Sequence, residues 1–96
     1  MRMVIVMYNE AIDNEVMEML SSVPVANYSK ILGTHGKGTS SGTHLGDDIW
    51  PGRNNILYAA CDEAQSKKLL SAVKGLRQQL AHEGIKAFVL PVEEAT

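Results

Sequence analysis

The middle of the chain lacks any helical or strand pattern, and this feature divides the sequence into two structured parts. Residues 33–53 hold six of the eight glycines of the 96-residue chain, together with serines, threonines and a proline. Loops of more than about fifteen residues are uncommon inside a compact domain, and they are usually functional or disordered. We therefore expect a long functional loop at 33–53, with segments on both sides of it that pack together.

The part before this loop has the pattern of a strand, a helix and a second strand. Residues 3–8 are a continuous apolar run rich in β-branched side chains, which is typical of a covered strand. After Asn9, which can cap a helix, apolar residues recur at three- and four-residue spacing until Pro24 stops the helix. Residues 26–32 alternate as a strand does, with neither face cleanly apolar. The apolar positions of the helix are Ile12, Val16, Met19, Leu20 and Val23.

The part after the loop repeats the pattern of a strand, a helix and a strand. Residues 54–61 form a strand-like run, and Asp62 with Gln65 three positions later predicts a capping box at the start of a second helix. We expect Gly84 to end this helix and residues 85–92 to form the last strand. The apolar stripe of the second helix consists of Leu69, Leu70, Val73, Leu76 and Leu80.

The element order βαββαβ predicts a single α+β domain over residues 1–96 with the ferredoxin-like fold. In this fold a four-stranded antiparallel sheet carries two helices on one face. The other face is then bare, and an apolar sheet face exposed to water favours association. A chain of this size also buries a limited share of its surface. We therefore expect the bare face to pack against further copies of the chain.

Composition excludes several classes of function. The net charge of −2 provides no general field for a polyanion, so we expect no nucleic-acid partner. No apolar run is long enough to cross a bilayer, and the first residues lead into a strand rather than a signal-peptide core, which favours a cytoplasmic protein. The single cysteine, Cys61, cannot form an internal disulfide and is expected to be a small buried hydrophobe.

Three motifs, in this order along the chain, resemble the PII signal-transduction superfamily of small trimeric ferredoxin-like proteins. Residues 12–20 resemble the opening of that family's first helix, allowing one inserted residue. Residues 28–33, Tyr-Ser-Lys-Ile-Leu-Gly, followed by Gly-Lys-Gly at 36–38, resemble a second strand that runs into the mobile T-loop. Residues 88–95, Phe-Val-Leu-Pro-Val-Glu-Glu-Ala, are very similar to the family's last core strand. The resemblance implies a homotrimer, with 33–53 as a T-loop-like segment.

Two features of the ATP-binding members are missing. Their glycine-rich, lysine-ended turn before the last strand is reduced at 82–86 to one glycine and one lysine, and no arginine pair follows the Pro-Val-Glu-Glu stretch at 91–94. The charges of a triphosphate must be met by N–H groups, Lys or Arg. We therefore expect ATP to bind more weakly than a ligand with fewer phosphates, such as AMP or ADP.

The glycines and Lys37 near the start of the loop suit an anion cradle, in which backbone N–H groups approach an oxyanion. Glycines that only permit motion are an equally good interpretation from spacing alone. The resemblance favours the ligand, because PII-like trimers bind small molecules in clefts between subunits at the base of this loop. The ligand-binding candidates are Gly33, His35, Gly36, Lys37, Gly38, Arg53 and Lys86. The candidates for contact with a partner protein are Ser40, Ser41, His44, Asp47, Asp48 and Trp50, the last of which also suits an anchor for the loop.

The resemblance thus implies a regulatory sensor that binds a small anionic, nucleotide-type ligand and signals to a protein such as a membrane transporter. An alternative is a metal-binding protein of the divalent-cation-tolerance type, with His35, His44 and the acidic loop residues as ligands, although no closely spaced pair fixes two donors in advance. A further alternative is an adaptor without a ligand. No nucleophile, base and oxyanion site form a recognisable set, so we do not expect an enzyme.

Overall fold

Strands and helices follow one another in the predicted order. The computed structural model describes residues 1–36, 53–81 and 83–96. In chain order the elements are strand β1 (Arg2–Asn9), a 3-10 turn (Glu10–Ile12), helix α1 (Asp13–Ser21), strand β2 (Ser29–His35), strand β3 (Arg53–Cys61), helix α2 (Glu63–Gln79) and strand β4 (Ile85–Pro91).

The four strands of the described residues form one sheet in the order β2-β3-β1-β4, and every neighbouring pair is antiparallel. Val6 at the centre of β1 lies opposite Leu57 of β3 on one side and Ala87 of β4 on the other. Both connections through a helix therefore skip one strand, which is the ferredoxin-like arrangement. The predicted fold class is confirmed.

The core lies between the sheet and the two helices. Alternate residues of β1 and β3 are buried, because successive side chains of a strand point to opposite faces. They pack against the predicted apolar stripes of α1 and α2, with Met19, Val23 and Leu80 at the margin. The buried side chains include Val4, Val6, Tyr8, Leu57 and Ala59 of the sheet, Ile12, Val16 and Leu20 of the first helical region, and Leu69, Val73 and Leu76 of α2.

Side-chain caps hold the start of the 3-10 turn and the start of α2. Asn9 accepts a hydrogen bond from the Ala11 N–H at 2.8 Å. Asp62 and Gln65 form the predicted capping box, with the Gln65 N–H donating to Asp62 at 2.7 Å and the Asp62 N–H donating to Gln65 at 2.9 Å. None of the described helices is both long enough and apolar enough to span a membrane.

The sheet face away from the helices, called here the open face, is apolar. Register places Met3, Ile5 and Met7 of β1 on this face, with Phe88 and Leu90 as neighbours on β4. Met7, Phe88 and Leu90 each keep 40% or more of their surface exposed. The described part of a single chain therefore leaves this face uncovered, as the element order predicts.

The second strand and the end of the second helix differ by three or more residues from the predicted positions. The second strand was expected at 26–32, but β2 spans Ser29–His35, so Gly33, Thr34 and His35 belong to the sheet rather than to the loop. A bulge at Gly33 allows pairing with β3 to continue. The second helix ends at Gln79 rather than at Gly84, because Leu80 leaves the helical conformation. Gly84 instead accepts a hydrogen bond from the Asn9 N–H at 3.0 Å.

Candidate functional site

The two strands that flank the glycine-rich segment bring its ends together at one end of the sheet. β2 leads into the segment and β3 leads out of it, and the two strands are paired. His35 of β2 lies directly opposite Arg53 of β3, and both residues are exposed. The structure therefore places an imidazole-bearing and a guanidinium-bearing residue side by side at the base of the segment.

A β-bulge sets this pairing. Ile31 lies opposite Ile56, but Thr34 lies opposite Asn54, so β2 has one residue more than β3 between these two pairs. Gly33 within the bulge has a φ of +69°, which is strained for any residue with a Cβ. The Gly33 N–H donates to the side-chain oxygen of Asn55 at 3.2 Å.

Beyond the bulge, Asn54 holds the last residues of β2. The Thr34 hydroxyl donates to the Asn54 carbonyl oxygen at 2.8 Å. A Cβ on Gly36 would lie 2.8 Å from the side-chain nitrogen of Asn54, so the absence of a side chain permits this close approach. Gly33, His35, Gly36 and Arg53 are therefore neighbours within one protomer.

Lys86, the remaining described ligand candidate, lies elsewhere on the sheet. It is opposite Met7 of β1, which is opposite Ile56 of β3, three positions along the strand from Arg53. With strands about 4.8 Å apart and about 3.3 Å per residue, the Cα atoms of Lys86 and Arg53 are roughly 14 Å apart. The Lys86 ammonium lies 6.0 Å from the centre of the Phe88 ring on the open face. Within the single chain, Lys86 therefore lies apart from the other described candidates.

A polar network beneath the bulge was not anticipated from the sequence. The Asp13 carboxylate at the start of α1 accepts a hydrogen bond from the Tyr8 hydroxyl at 2.6 Å and another from the Asn55 amide at 3.2 Å. The Lys30 ammonium contacts both carboxylate oxygens, at 3.0 and 3.1 Å. The amide of Asn55 thus joins Asp13 to the N–H of Gly33. We call Tyr8, Asp13, Lys30 and Asn55 the Asp13 network.

The network shifts two pKa values in opposite directions. Burial raises the pKa of Tyr8, and donation to the Asp13 carboxylate raises it further. Burial also tends to raise the pKa of Asp13, but hydrogen bonds from Tyr8, Lys30 and Asn55 outweigh it and lower the pKa below its ordinary value. At neutral pH the network therefore contains a neutral phenol and a carboxylate.

The spacing of the first helix leaves Asp13 outside its apolar positions, on the face expected to meet solvent. A signal for the network was nonetheless present, because a tyrosine or asparagine at an inward position of a strand needs a hydrogen-bond partner. Tyr8 and Asn55 occupy such positions and are 1% and 3% exposed. Every buried side-chain nitrogen and oxygen of the described residues has a partner.

Comparison with solved structures identifies the fold. A protein of Thermus thermophilus assigned to the PII-like signalling proteins matches with a TM-score of 0.65 and 18% identity, over 92% of this chain and 82% of that chain. CPII of Thiomonas intermedia, bound to ADP and bicarbonate, matches with a TM-score of 0.66 and 19% identity, over 97% and 88%. The chain has the PII-like fold.

A DUF3240 family protein of Shewanella baltica shares the PII-like fold, with a TM-score of 0.61 and 15% identity over 99% of this chain and 92% of that chain. A further CPII structure contains ADP, AMP and acetate. No protein-family model matches the sequence, and no curated protein matches it. The predicted resemblance is thus confirmed in the fold.

In this chain the predicted T-loop-like segment, residues 33–53, begins within β2 and ends at the first residue of β3. Within residues 1–36, 53–81 and 83–96, no group of three or more His, Cys, Asp or Glu side chains could hold a metal ion. Of the predicted metal ligands, His35 lies in β2. The candidates Lys37, Gly38, Ser40, Ser41, His44, Asp47, Asp48 and Trp50 lie outside the described residues.

A shallow cavity of about 290 Å³ lies at the opposite end of the PII-like sheet, between α2 and β4. Arg2 and Glu63 at its rim have their charged atoms 3.7 Å apart, and both side chains are well exposed. Such surface pairs contribute little to stability. Of the described ligand candidates, Gly33, His35, Gly36, Arg53 and Lys86, none lines this cavity.

Proposed function

We propose that this chain is a PII-like regulatory protein that binds a small anionic ligand of the adenine-nucleotide type, AMP or ADP, at the base of the glycine-rich segment. It acts as a homotrimer and signals to a protein partner, such as a membrane transporter, through residues 33–53. It works by binding and release, without catalysis, in the cytoplasm.

The observation that carries the proposal is the pairing of His35 with Arg53 at the base of the segment. A guanidinium presents a planar set of N–H donors that matches two oxygens of a phosphate or carboxylate. The Gly36 backbone beside them bears no side chain that would keep an anion away. CPII, which shares the fold, binds ADP, AMP and bicarbonate in its crystal structures, and these ligands are all anionic.

Assembly completes the site that one protomer leaves divided. Lys86 is roughly 14 Å from Arg53 within a chain, by strand spacing and rise. Lys86 lies on the open face, and the same face is the apolar surface that copies of the chain would cover. We place Lys86 of one subunit near Arg53 of the next, so that each cleft between subunits has two cationic side chains. This arrangement favours AMP or ADP over ATP, because each further phosphate adds negative charge that the two described cations of the cleft, Arg53 and Lys86, would have to meet.

The chemistry at His35 favours an anion over a metal ion. The guanidinium of Arg53 lies on the strand position directly opposite His35, and a positive charge so near disfavours a divalent cation. His44 and the partner-binding candidates Ser40, Ser41, Asp47, Asp48 and Trp50 remain assigned to contact with the target protein.

The test is isothermal titration calorimetry of the wild-type protein with AMP, ADP, ATP and bicarbonate. We expect AMP or ADP to bind more tightly than ATP. Arg53→Ala should weaken that binding by about ten- to a hundredfold, the usual cost of removing a charged partner of an anion. Arg77→Ala is the matched control, because Arg77 is exposed in the last turn of α2, an element that carries none of the described ligand candidates.

Absence of binding by any adenine nucleotide would contradict the proposal, and so would equal affinities of the Arg53→Ala and Arg77→Ala proteins. A parallel titration with zinc tests the metal alternative. Zinc binding that His35→Ala abolishes and Arg53→Ala leaves unchanged would replace the sensor with a metal-binding protein.

A further inference from the structure

The Asp13 network lies directly beneath the bulge that sets the pairing of His35 with Arg53. We infer that Asp13 and Asn55 are positioning residues for the ligand site, because together they hold the bulge at Gly33 and thereby the register of the last residues of β2. The link to ligand binding rests on the proposed function. The link to the bulge does not.

The first step is the hydrogen-bonding direction of Asn55. Its side-chain amide has one donor end and one acceptor end, and here the donor faces Asp13 at 3.2 Å while the acceptor faces the Gly33 N–H at 3.2 Å. A carboxylate only accepts, so it selects the orientation in which the Asn55 oxygen points at Gly33. Asn55 is 3% exposed, so water does not readily replace either partner.

The second step is the effect of the bulge on register. Without the extra residue, the pairing of Ile31 with Ile56 would continue so that Thr34, not His35, lies opposite Arg53. A slip of one residue moves every side chain of the strand segment to the other face of the sheet. The bulge therefore decides whether an imidazole or a hydroxyl stands beside the guanidinium.

The third step is the anchoring of Asp13 itself. The Tyr8 hydroxyl at 2.6 Å fixes the carboxylate from β1, and Lys30 at 3.0 Å fixes it from β2. Tyr8 is fully buried, and the Asp13 and Lys30 side chains are 31% and 23% exposed. The carboxylate is therefore held between two strands and does not depend on the ligand for its position.

The test is amide hydrogen exchange in the ligand-free protein, followed by NMR. In Asp13→Ala we expect the Gly33 amide to exchange about five- to twentyfold faster, which corresponds to the loss of one hydrogen bond. Asp13→Asn keeps a side-chain oxygen that can accept from Asn55 and should restore most of the protection. Asn55→Leu removes the hydrogen bonds of Asn55 to Gly33 and to Asp13 at once, and its Gly33 amide should exchange as fast as that of Asp13→Ala.

Asp62→Ala is the control, because it removes a different capping carboxylate at the far end of the sheet. Asp62→Ala should raise the exchange rates of all core amides by the same factor, so that the ratio of the Gly33 rate to the Val6 rate stays unchanged. Equal relative exchange of Gly33 in Asp13→Ala, Asn55→Leu and Asp62→Ala would overturn the inference.

Calorimetry with ADP then tests the link to the site. Asp13→Ala should bind ADP at least tenfold more weakly than Asp62→Ala, and Asp13→Asn should recover most of the affinity. Faster exchange at Gly33 together with unchanged ADP affinity would refute a positioning role for the ligand. If the wild-type protein does not bind ADP, the proposed nucleotide function fails, whereas the exchange result still decides whether the network holds the bulge.

Discussion

Replacing Phe88 with glutamate should weaken the assembly that the proposed function requires. Phe88 lies on the open face opposite Ile5, and 43% of its surface is exposed in the single chain. Since an aromatic side chain buries roughly 200 Å², the exposed part is roughly 85 Å². Burial of that area between subunits contributes about 2 kcal/mol for each subunit at 25 cal/mol per Å². Glutamate forfeits this contribution and adds the cost of desolvating a charge.

Three copies of the substitution should therefore destabilise a trimer by about 6 kcal/mol, which raises the concentration needed for half-assembly by about a hundredfold. Sedimentation equilibrium from low to high micromolar concentration measures this shift. Ala64→Glu introduces the same charge at an exposed position of α2 and should leave assembly unchanged. A wild-type monomer throughout this range, or an unchanged trimer in Phe88→Glu, would refute the role of the open face.

Three predictions concern stability, and chemical denaturation measures each. Leu57→Ala should lower the free energy of unfolding by about 3 kcal/mol, because Leu57 is fully buried at the centre of the sheet; a loss below about 1 kcal/mol would contradict that placement. Gly33→Ala should cost about 1–2 kcal/mol because of the positive φ, whereas Gly75→Ala should stabilise by about 0.5–1 kcal/mol, because Gly75 lies within α2 and an added Cβ there meets no other atom; effects of the same sign would contradict the bulge at Gly33. Because the pKa of Asp13 is lower in the folded protein, its carboxylate stabilises the fold above pH 3.8, the ordinary carboxyl value, and this stabilisation is lost as the pH falls through the folded value. The free energy of unfolding of Asp13→Asn should therefore fall less steeply than that of the wild type over this acidic range, and parallel pH profiles would exclude the effect.

The spacing of apolar residues in the sequence was sufficient to predict the order of strands and helices and the faces that they bury. Both apolar helix stripes lie in the core or at its margin, except for Leu70, which is half-buried outside the core, and the Asp62 capping box forms as predicted. These features depend on residues close together in the chain, where hydrogen-bond geometry and side-chain spacing leave few alternatives. The bare apolar face followed from the same reasoning, because two helices cover only one side of a four-stranded sheet.

The end of β2 could not be predicted in this way. Gly33 interrupts the alternation of β2, and a glycine after a weak strand pattern is usually a loop signal. Pairing continues to His35 because residues of β3 lie opposite Thr34 and His35, and because the Asn55 side chain accepts a hydrogen bond from the Gly33 N–H. Both contributions come from residues far along the chain, so nothing in the neighbourhood of Gly33 indicates them.

The same reason explains why the candidate site was recognised only in part. The resemblance suggested His35 and Arg53 separately, whereas their direct opposition depends on a one-residue shift that spacing does not reveal. The residues that hold this shift, Asp13 and Asn55, carry no motif and lie on a different helix and strand. The specificity of the site then depends on the geometry of the buried Asn55 amide as much as on the exposed Arg53 side chain. Substitutions at Asp13 should therefore alter ligand affinity although Asp13 does not contact the ligand.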